Sequence, residues 1–204
     1  MLSVKMPSAY HTFSANTYIA SSGGECAVID PSVPFSEELL AGKLKYIFLT
    51  HAHFDHMLCI NDWVSHTDAE VVVSLADAGK LSDGNLNCYT LFSGRNDGYF
   101  GEYRTMCEGD SFKIGEETIR VIEVPGHTSG SVVLSSNGVA FVGDTVFAGG
   151  GFGRWDLPTG DIGALKRSII RICELDGDTV LYSGHGGSTT VLKYKEEFKR
   201  QRFI

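Results

Sequence analysis

The sequence is long enough to build one sizeable hydrophobic core. It has 204 residues, of which 43% are hydrophobic and 21% charged, and its formal net charge is −8. This size and balance predict a single domain spanning residues 1–204. The acidic charge argues against nucleic acid as a partner, because such binding depends on Lys and Arg side chains that neutralise phosphates. We therefore expect a small-molecule substrate.

Cysteine usage and hydropathy exclude further classes of protein. The five cysteines are odd in number and form no Cys-x-x-Cys pair, which favours reduced thiols in a cytoplasmic protein over a disulfide framework or a cysteine zinc site. Residues 1–16 lack the apolar stretch of a signal peptide. No apolar run approaches the roughly 20 residues of a membrane span, so we expect no membrane partner.

The first half of the chain predicts strands, turns and short helices. Two strand-like segments flank Ser-Ser-Gly-Gly, a pattern typical of a β-hairpin. Further on, Met57, Ile60, Trp63 and Val64 share one helical face. In chain order, the segments predicted from this half are strands at 17–20 and 26–29, a short helix at 37–41, a buried strand at 46–49, the helix beginning near His56, and a strand at 71–73.

Residues 82–109 break this rhythm. The segment is rich in Gly, Asn, Ser and Asp, and it also carries several aromatic side chains. It predicts a long loop with two possible roles. The loop either forms a lid or wall beside a substrate, or its aromatic side chains pack down onto the surface.

The second half returns to regular elements. The helical stripe of Ile162, Leu165, Ile169, Ile172 and Cys173 follows Asp161, which is suited to cap the helix N-terminus. The other predicted elements are strands at 118–124, 131–134, 139–142 and 179–182 and an amphipathic helix at 190–202. On this last helix the predicted solvated face carries Lys193, Lys195, Lys199, Arg200 and Arg202.

The most informative segment is Thr-His-Ala-His-Phe-Asp-His, residues 50–56, directly after an apolar strand. His51 and His53 lie two residues apart and point the same way in extended chain, so both can bind one metal ion. Asp55 and His56 follow, and a turn there can direct them to a second ion. Such a density of metal-binding side chains where a buried strand ends predicts a metal centre.

Three more candidate ligands follow apolar strands in the same way. Pro125-Gly126 precedes His127, Gly143 precedes Asp144, and Gly184 precedes His185. Glycine lets the chain turn sharply beside an ion, and strand ends of an α/β sheet converge at one edge. His11 and His66 have no such setting, and we interpret them as ordinary surface or core residues.

These motifs together resemble the metallo-β-lactamase superfamily. They are His-x-His-x-Asp-His, Pro-Gly-His-Thr-x-Gly-Ser, Gly-Asp and Gly-His-Gly, with the supporting stretches Val-Ile-Asp-Pro and Gly-Arg-Trp-Asp. The resemblance runs from about Asn16 to Gly186 and is closest to glyoxalase II-like hydroxyacylglutathione hydrolases. It implies an α/β fold of four layers, an αββα sandwich, with metals at one edge of the two sheets.

The resemblance also implies a ligand set for two divalent metal ions per chain. His51, His53 and His127 would hold the first ion, and Asp55, His56 and His185 would hold the second. Asp144 would lie between them, and Asp55 and Asp144 would be the catalytic carboxylates. Zinc is the expected metal, with iron and manganese as alternatives.

The implied activity is hydrolysis of a thioester, or a related ester, by water that the metals activate. One alternative on the same fold is a persulfide dioxygenase with one iron held by His51, His127 and Asp144. A lactonase is a further alternative. Full-length glyoxalase II has a C-terminal helical domain that contributes to glutathione binding, whereas here only 186–204 follow His185, which leaves recognition of glutathione in question.

Smaller features support this interpretation. Asp30 and Thr50 are candidates to hydrogen-bond the ligating imidazoles, since metal-bound histidines usually need such partners; simple turn or strand-end roles fit equally well. The glycine-rich segment 149–153 lacks a phosphate-loop ending and is expected to pass close to the metals. Arg154 and Asp156 either pair with each other or line the substrate pocket.

Overall fold

The computed structural model describes residues 2–201. The strands are β1 (Ser3–Lys5), β2 (Tyr18–Ser22), β3 (Glu25–Ile29), β4 (Lys43–Phe48), β5 (Glu70–Ser74), β6 (Arg104–Met106), β7 (Ser111–Ile114), β8 (Glu117–Glu123), β9 (Val132–Ser136), β10 (Val139–Gly143), β11 (Val146–Phe147), β12 (Gly151–Phe152), β13 (Val180–Ser183) and β14 (Thr189–Thr190). The helices are α1 (Ile60–His66), α2 (Tyr89–Ser93), α3 (Ile162–Cys173) and α4 (Val191–Arg200), with 3₁₀ turns at Glu37–Leu39, Phe54–His56 and Ala78–Lys80.

Over the described residues, the strands form two six-stranded sheets and a small two-stranded one. The first sheet has the order β1-β2-β3-β4-β5-β6, and its strands from β3 to β6 run parallel. The second has the order β14-β13-β10-β9-β8-β7, with β10 and β13 parallel. Because parallel strands end at the same edge, both sheets bring several strand ends to one side of the molecule.

Strand alternation divides the apolar side chains between two faces of each sheet. In the first sheet, Phe48 and Val72 point towards the second sheet, whereas Ile47 and Val71 point away from it. The inner faces share one core, to which the second sheet contributes Phe141 among others. This period-two pattern explains why the two sheets pack face to face.

Helices cover the two outer faces and complete four layers. Trp63 of α1 is fully buried against the first sheet, and its indole nitrogen donates to the Val33 carbonyl over 2.7 Å. Burial of a side chain of this size stabilises the fold by about 2–3 kcal/mol. Leu165 of α3 and Tyr194 of α4 pack on the outer face of the second sheet. The predicted αββα sandwich is thereby confirmed.

Most predicted elements are present with small changes at their ends, including the Asp161 cap, whose carboxylate accepts a hydrogen bond from the Ala164 backbone over 2.6 Å. The prediction for residues 82–109 was wrong in part, since this segment contains α2 and the edge strand β6. The expectation that His56 begins a helix was also wrong. His56 ends a 3₁₀ turn, and α1 begins only at Ile60. The predicted residue Arg202 lies outside the described residues.

Within residues 2–201, the structure has no helix of the length and apolarity that a bilayer span requires. All five cysteines are free.

Candidate metal centre

The candidate ligands lie at the edge where the parallel strands end. His51 and His53 follow β4, Asp144 follows β10, and His185 follows β13. His127 comes from the loop after β8 and reaches the same edge. The two sheets thus bring together side chains that are far apart in the sequence, as strand-end sites do in α/β folds.

Three imidazoles form the first cluster, which we call the tri-histidine cluster: His51, His53 and His127. The distance from His51 Nε2 to His53 Nδ1 is 3.1 Å, and that from His53 Nδ1 to His127 Nε2 is 2.9 Å. His127 Nε2 lies 3.2 Å from His51 Nε2, which closes the triangle. Tetrahedral ligands at zinc–nitrogen bonds of 2.0–2.1 Å are about 3.3–3.4 Å apart, so the triangle has nearly the size that a metal ion needs.

The second cluster, the mixed cluster, contains Asp55, His56 and His185. Asp55 Oδ2 lies 3.1 Å from His185 Nε2 and 3.8 Å from His56 Nε2. All three ligand atoms lie within 4.8 Å of one another. The Phe54–His56 turn directs Asp55 and His56 back towards the strand ends, and hydrogen bonds from the Ala15 amide and the Ser32 hydroxyl to the Asp55 carbonyl fix this turn.

Asp144 lies between the two clusters. Its Oδ1 is 3.3 Å from His56 Nε2, and its Oδ2 is 3.5 Å from His185 Nε2 and 3.7 Å from His127 Nε2. One carboxylate therefore faces imidazoles of both clusters. The structure thus brings all seven candidate ligands together.

The hydrogen bonds on the outer ring nitrogens assign the tautomers of three imidazoles. His127 Nδ1 lies 2.8 Å from the Arg154 carbonyl, which can only accept, so this nitrogen carries the proton. His56 Nδ1 lies 2.8 Å from Asp30 Oδ2 and is protonated for the same reason. Thr50 donates its hydroxyl proton to Asp30 over 2.8 Å and accepts from His51 Nδ1 at 3.2 Å.

This assignment turns unprotonated nitrogens towards one another. The Nε2 lone pairs of His51 and His127 face each other at 3.2 Å, a repulsive arrangement that a cation between them would make favourable. Among the described residues, His56 Nε2 and Asp144 Oδ1 are buried without a hydrogen bond, although the two atoms lie 3.3 Å apart. Buried polar atoms are rarely left unpaired, so the residues present fit a bound metal.

The pKa shifts distinguish the two clusters. Burial lowers the pKa of His51 and His127, and lowers that of His53 to about 3, so these imidazoles are neutral and able to bind metal. Burial opposes a charge on His56, but the facing carboxylates of Asp30, Asp144 and Asp55 hold its pKa well above the ordinary value. The mixed cluster therefore stabilises positive charge on His56, whose side chain is fully buried.

The carboxylate between the clusters is ionised. Burial would raise the pKa of Asp144, but the facing imidazoles of His56, His127 and His185 hold it below its usual range. The hydrogen bond with Asp55 raises the pKa of His185. The ionised carboxylates of Asp55 and Asp144 therefore face the imidazoles of His56 and His185, whose positive charge they stabilise.

Two glycines are required by close approach. A Cβ at Gly184 would overlap the Asp144 carboxylate and the His56 ring, and one at Gly153 would overlap the Asp144 carbonyl. Gly153 belongs to the glycine-rich segment 149–153, which was expected to pass close to the metals. The structure places this part of it against Asp144 and His127.

Asp30 supports the centre, as the sequence suggested. It accepts from the Thr50 amide at 2.8 Å as well as from the Thr50 hydroxyl and His56. Its φ of +52° is unusual for a residue other than glycine. Strain of this kind is kept where the surroundings over-determine the conformation, and here three hydrogen bonds do so.

Sequence reasoning missed a second supporting network, centred on Asp77 and Lys80. Asp77 Oδ2 accepts from the Ala52 amide at 2.9 Å and from the Thr128 hydroxyl at 2.8 Å, so it joins the two loops that carry the tri-histidine cluster. Lys80 is ion-paired with Asp77 and donates to Ser129 over 2.7 Å. Asp77 follows β5 at the same edge as the ligands, and this strand-end position was the signal that could have revealed it.

A cavity of about 310 Å³ opens over the two clusters. His53, Asp55, His127, Asp144 and His185 contribute to its floor. Arg154 both lines the cavity and pairs with Asp156 through hydrogen bonds of 2.7 and 2.8 Å, so both roles considered for it are present. His11 and His66 are exposed and lie outside the described metal-ligand groups.

The sequence and fold match a known protein family. Residues 12–185 match the model of the metallo-beta-lactamase superfamily. The chain belongs to this superfamily.

The curated relatives include hydroxyacylglutathione hydrolases. The chain is 33% identical to one from Rhodospirillum rubrum over 79% of its own length, and it spans only 57% of that relative. It is 30% identical to hydroxyacylglutathione hydrolase GloC of Haemophilus influenzae, over 86% of this chain and 82% of that protein.

Solved structures with the same fold include two that match nearly end to end. The BLEG-1 B3 metallo-beta-lactamase has a TM-score of 0.86 and 28% identity, covering 95% of this chain and 97% of its own. TTHA1623 in a di-iron-bound form has a TM-score of 0.80 and 28% identity, covering 94% and 97%.

Proposed function

We propose that this protein is a binuclear metal-dependent hydrolase whose substrates are thioesters. The observation that carries the proposal is the pair of adjoining clusters that share Asp144 and direct unprotonated or anionic ligand atoms into one space. His51, His53 and His127 would hold one ion, and Asp55, His56 and His185 the other. Hydroxyacylglutathione hydrolases among the relatives, and a di-iron form of one structural neighbour, support this proposal.

A bound pair of divalent ions would activate water at neutral pH and polarise the substrate carbonyl. The chain's own residues prepare the site for this chemistry. Asp30 holds His56, Thr50 and the Arg154 carbonyl hold His51 and His127, and Asp144 stays ionised between them. Such fixed orientation of ligands is what keeps a metal site reactive rather than merely occupied.

Thioesters suit the site because their leaving group needs little help. In the overall reaction, water and the thioester give a carboxylic acid and a thiol: a carbon–oxygen bond forms and the carbon–sulfur bond breaks. The sulfur leaves as a thiolate, so no dedicated proton donor is required beside it. The carboxylates of Asp55 and Asp144 line the cavity and would be available to accept protons from the attacking water.

Covalent catalysis by serine or cysteine is not supported by the site. Among the described residues, the hydroxyl of Ser183 donates to the Val146 carbonyl, Ser131 pairs with Thr128, and Ser129 accepts from Lys80. None of these hydroxyls has a histidine partner. Burial raises the pKa of the Cys88 thiol to about 11, so it is not an activated nucleophile at neutral pH.

The test combines metal analysis with a thioester assay. We expect freshly purified protein to hydrolyse a small thioester, to lose this activity on chelation, and to regain it when about two equivalents of zinc, iron or manganese are added. His185→Ala should lower the restored rate, whereas His66→Ala, a histidine outside both clusters, should not. Full activity in the chelated protein would refute the proposal. One iron per chain with sulfite formed from a persulfide would instead indicate the dioxygenase.

A further inference from the structure

Aromatic side chains form one wall of the cavity above the metal centre. Phe54 is nearly buried, and its ring stacks on Phe92 of α2 with centroids 5.4 Å apart. Phe92 in turn faces Phe13 at 6.4 Å. All three rings line the cavity, as do Phe147 and Leu157. The substrate therefore meets apolar surface on several sides of the reacting centre.

The Phe13 and Phe92 side chains are partly exposed to solvent, whereas the backbone near each of them is held by hydrogen bonds. Phe13 is 51% exposed and Phe92 is 46% exposed. The loop of Phe13 is tied to a candidate metal ligand, because the Ala15 amide donates to the Asp55 carbonyl over 3.1 Å. Exposed aromatic rings gain free energy when a bound molecule covers them, at about 25 cal/mol per Å² of apolar surface. Because the Phe13 and Phe92 rings line the cavity, a ligand bound there would cover their exposed surface.

Charge on the cavity wall is sparse. Of the described residues that line the cavity, Arg154 is the one Lys or Arg, and its Nε and Nη2 already donate to the Asp156 carboxylate. The remaining charged groups of the wall are candidate metal ligands. A thiol carrier with two carboxylates, such as glutathione, would find no second cationic partner here. A thiol carrier without charges needs no cationic partner, so its binding does not leave a desolvated charge unpaired.

The cavity volume of about 310 Å³ lies at the lower end of the range for small-molecule sites. We propose that the substrate is a compact thioester whose apolar, phenyl-sized acyl group packs against Phe13, Phe54 and Phe92 and whose thiol portion carries no pair of carboxylates. This inference rests on the thioester hydrolysis proposed above. It makes the aromatic wall the feature that determines specificity.

The test uses two matched pairs of substrates with the metal-loaded protein. The phenylacetyl thioester of N-acetylcysteamine should have a kcat/KM at least about tenfold above that of the acetyl thioester, because the phenyl ring covers the aromatic wall. The lactoyl thioester of N-acetylcysteamine should be hydrolysed at least as efficiently as the lactoyl thioester of glutathione. Equal rates for the first pair, or a preference for glutathione in the second, would overturn the inference.

Variants test whether the aromatic wall causes the preference for the phenylacetyl thioester. Phe92→Ala and Phe13→Ala should each reduce the phenylacetyl-to-acetyl ratio by about tenfold. Leu91→Ala is the matched control, since Leu91 lies on the same helix, is 65% exposed and does not line the cavity. A ratio that is unchanged in Phe92→Ala, or that falls equally in Leu91→Ala, would contradict the assignment.

A binding measurement separates this inference from the proposed function. The ketone analogue, in which a methylene replaces the thioester sulfur of the phenylacetyl compound, cannot be hydrolysed. Calorimetry should show that it binds with a negative heat-capacity change and about tenfold more weakly to Phe92→Ala. Such binding without turnover of any thioester would reject the proposed function and keep the apolar site. Turnover of thioesters without this binding would keep the proposed function and reject the apolar site.

Discussion

The two halves of the metal centre differ in burial, charge and support. The tri-histidine cluster is closed, with His51, His53 and His127 between 1% and 3% exposed. The mixed cluster is open, since the His185 side chain is 41% exposed. The tri-histidine cluster offers neutral imidazoles whose loops are joined by Asp77, whereas the mixed cluster includes the acidic ligand Asp55.

This difference indicates a division of roles. A buried site with fixed ligands loses little conformational entropy on binding, so we expect the tri-histidine cluster to hold its ion more tightly. An ion held by the mixed cluster would be more exposed to solvent and substrate, because the His185 side chain is 41% exposed, and we expect faster exchange there. Asp144 couples the two halves because it faces imidazoles of both.

The largest effect is expected when the shared carboxylate is removed. Asp144→Ala should lower kcat/KM by on the order of 10³-fold and weaken the binding of both ions, because one side chain serves both clusters. Metal analysis and a thioester assay on the same sample measure both effects. Asp68→Ala, an exposed aspartate remote from the centre, is the control. Two retained ions with near-native turnover would contradict the shared role of Asp144.

Removing one ligand from each half tests the division directly. His185→Ala should retain about one ion per chain after dialysis, because the tri-histidine cluster stays complete, whereas His127→Ala should lose the tighter ion. The number of bound ions is measured by elemental analysis after dialysis against a weak chelator. The opposite ranking, with the tighter ion lost from His185→Ala, would show that the open half is the stronger site.

A smaller effect is expected at Asp30. Asp30→Asn keeps the shape of the side chain but removes the charge that orients the His56 ring through Nδ1. Changes of this kind cost about 10- to 100-fold in metal affinity. Competition with a chromophoric chelator should locate the loss at the second ion to bind. An equal loss at both ions would mean that Asp30 supports the fold of the site rather than the mixed cluster.

The smallest effect concerns the pH dependence of the metal-free protein. Burial lowers the folded-state pKa of His53 to about 3, below its unfolded value, so its contribution to stability is present above about pH 6.5 and lost as the pH falls towards 3. His53→Gln removes this titration. The decrease in Tm between about pH 7 and about pH 4 should therefore be smaller in this variant. An identical decrease would show that His53 is not buried as a neutral imidazole.

Most of the metal centre could be predicted from the sequence because its motifs directly follow the apolar runs that form strands. The apolar run before Thr50, and the glycines before His127, Asp144 and His185, place each ligand where a strand ends. Continuous apolar runs predicted the central strands, since both faces of these strands are buried. Trp63 and its helix followed from a 3.6-residue pattern.

The parts that could not be predicted lack such patterns. The edge strands β1, β6 and β7 contain only three or four residues each, so the alternation that β7 shows is too short to mark a strand in the sequence. Asp77 stands as a single acidic residue after a strand, and its role depends on Ala52 and Thr128, which only the folded chain brings near. The aromatic wall likewise joins Phe13 and Phe92 from segments far apart in sequence.

Anomalous diffraction from crystals of the metal-loaded protein is the most direct test of the central claim. We predict two anomalous peaks, one within bonding distance of His51, His53 and His127 and one within bonding distance of Asp55, His56 and His185, with Asp144 between them. A single peak, or peaks away from these seven side chains, would contradict the account.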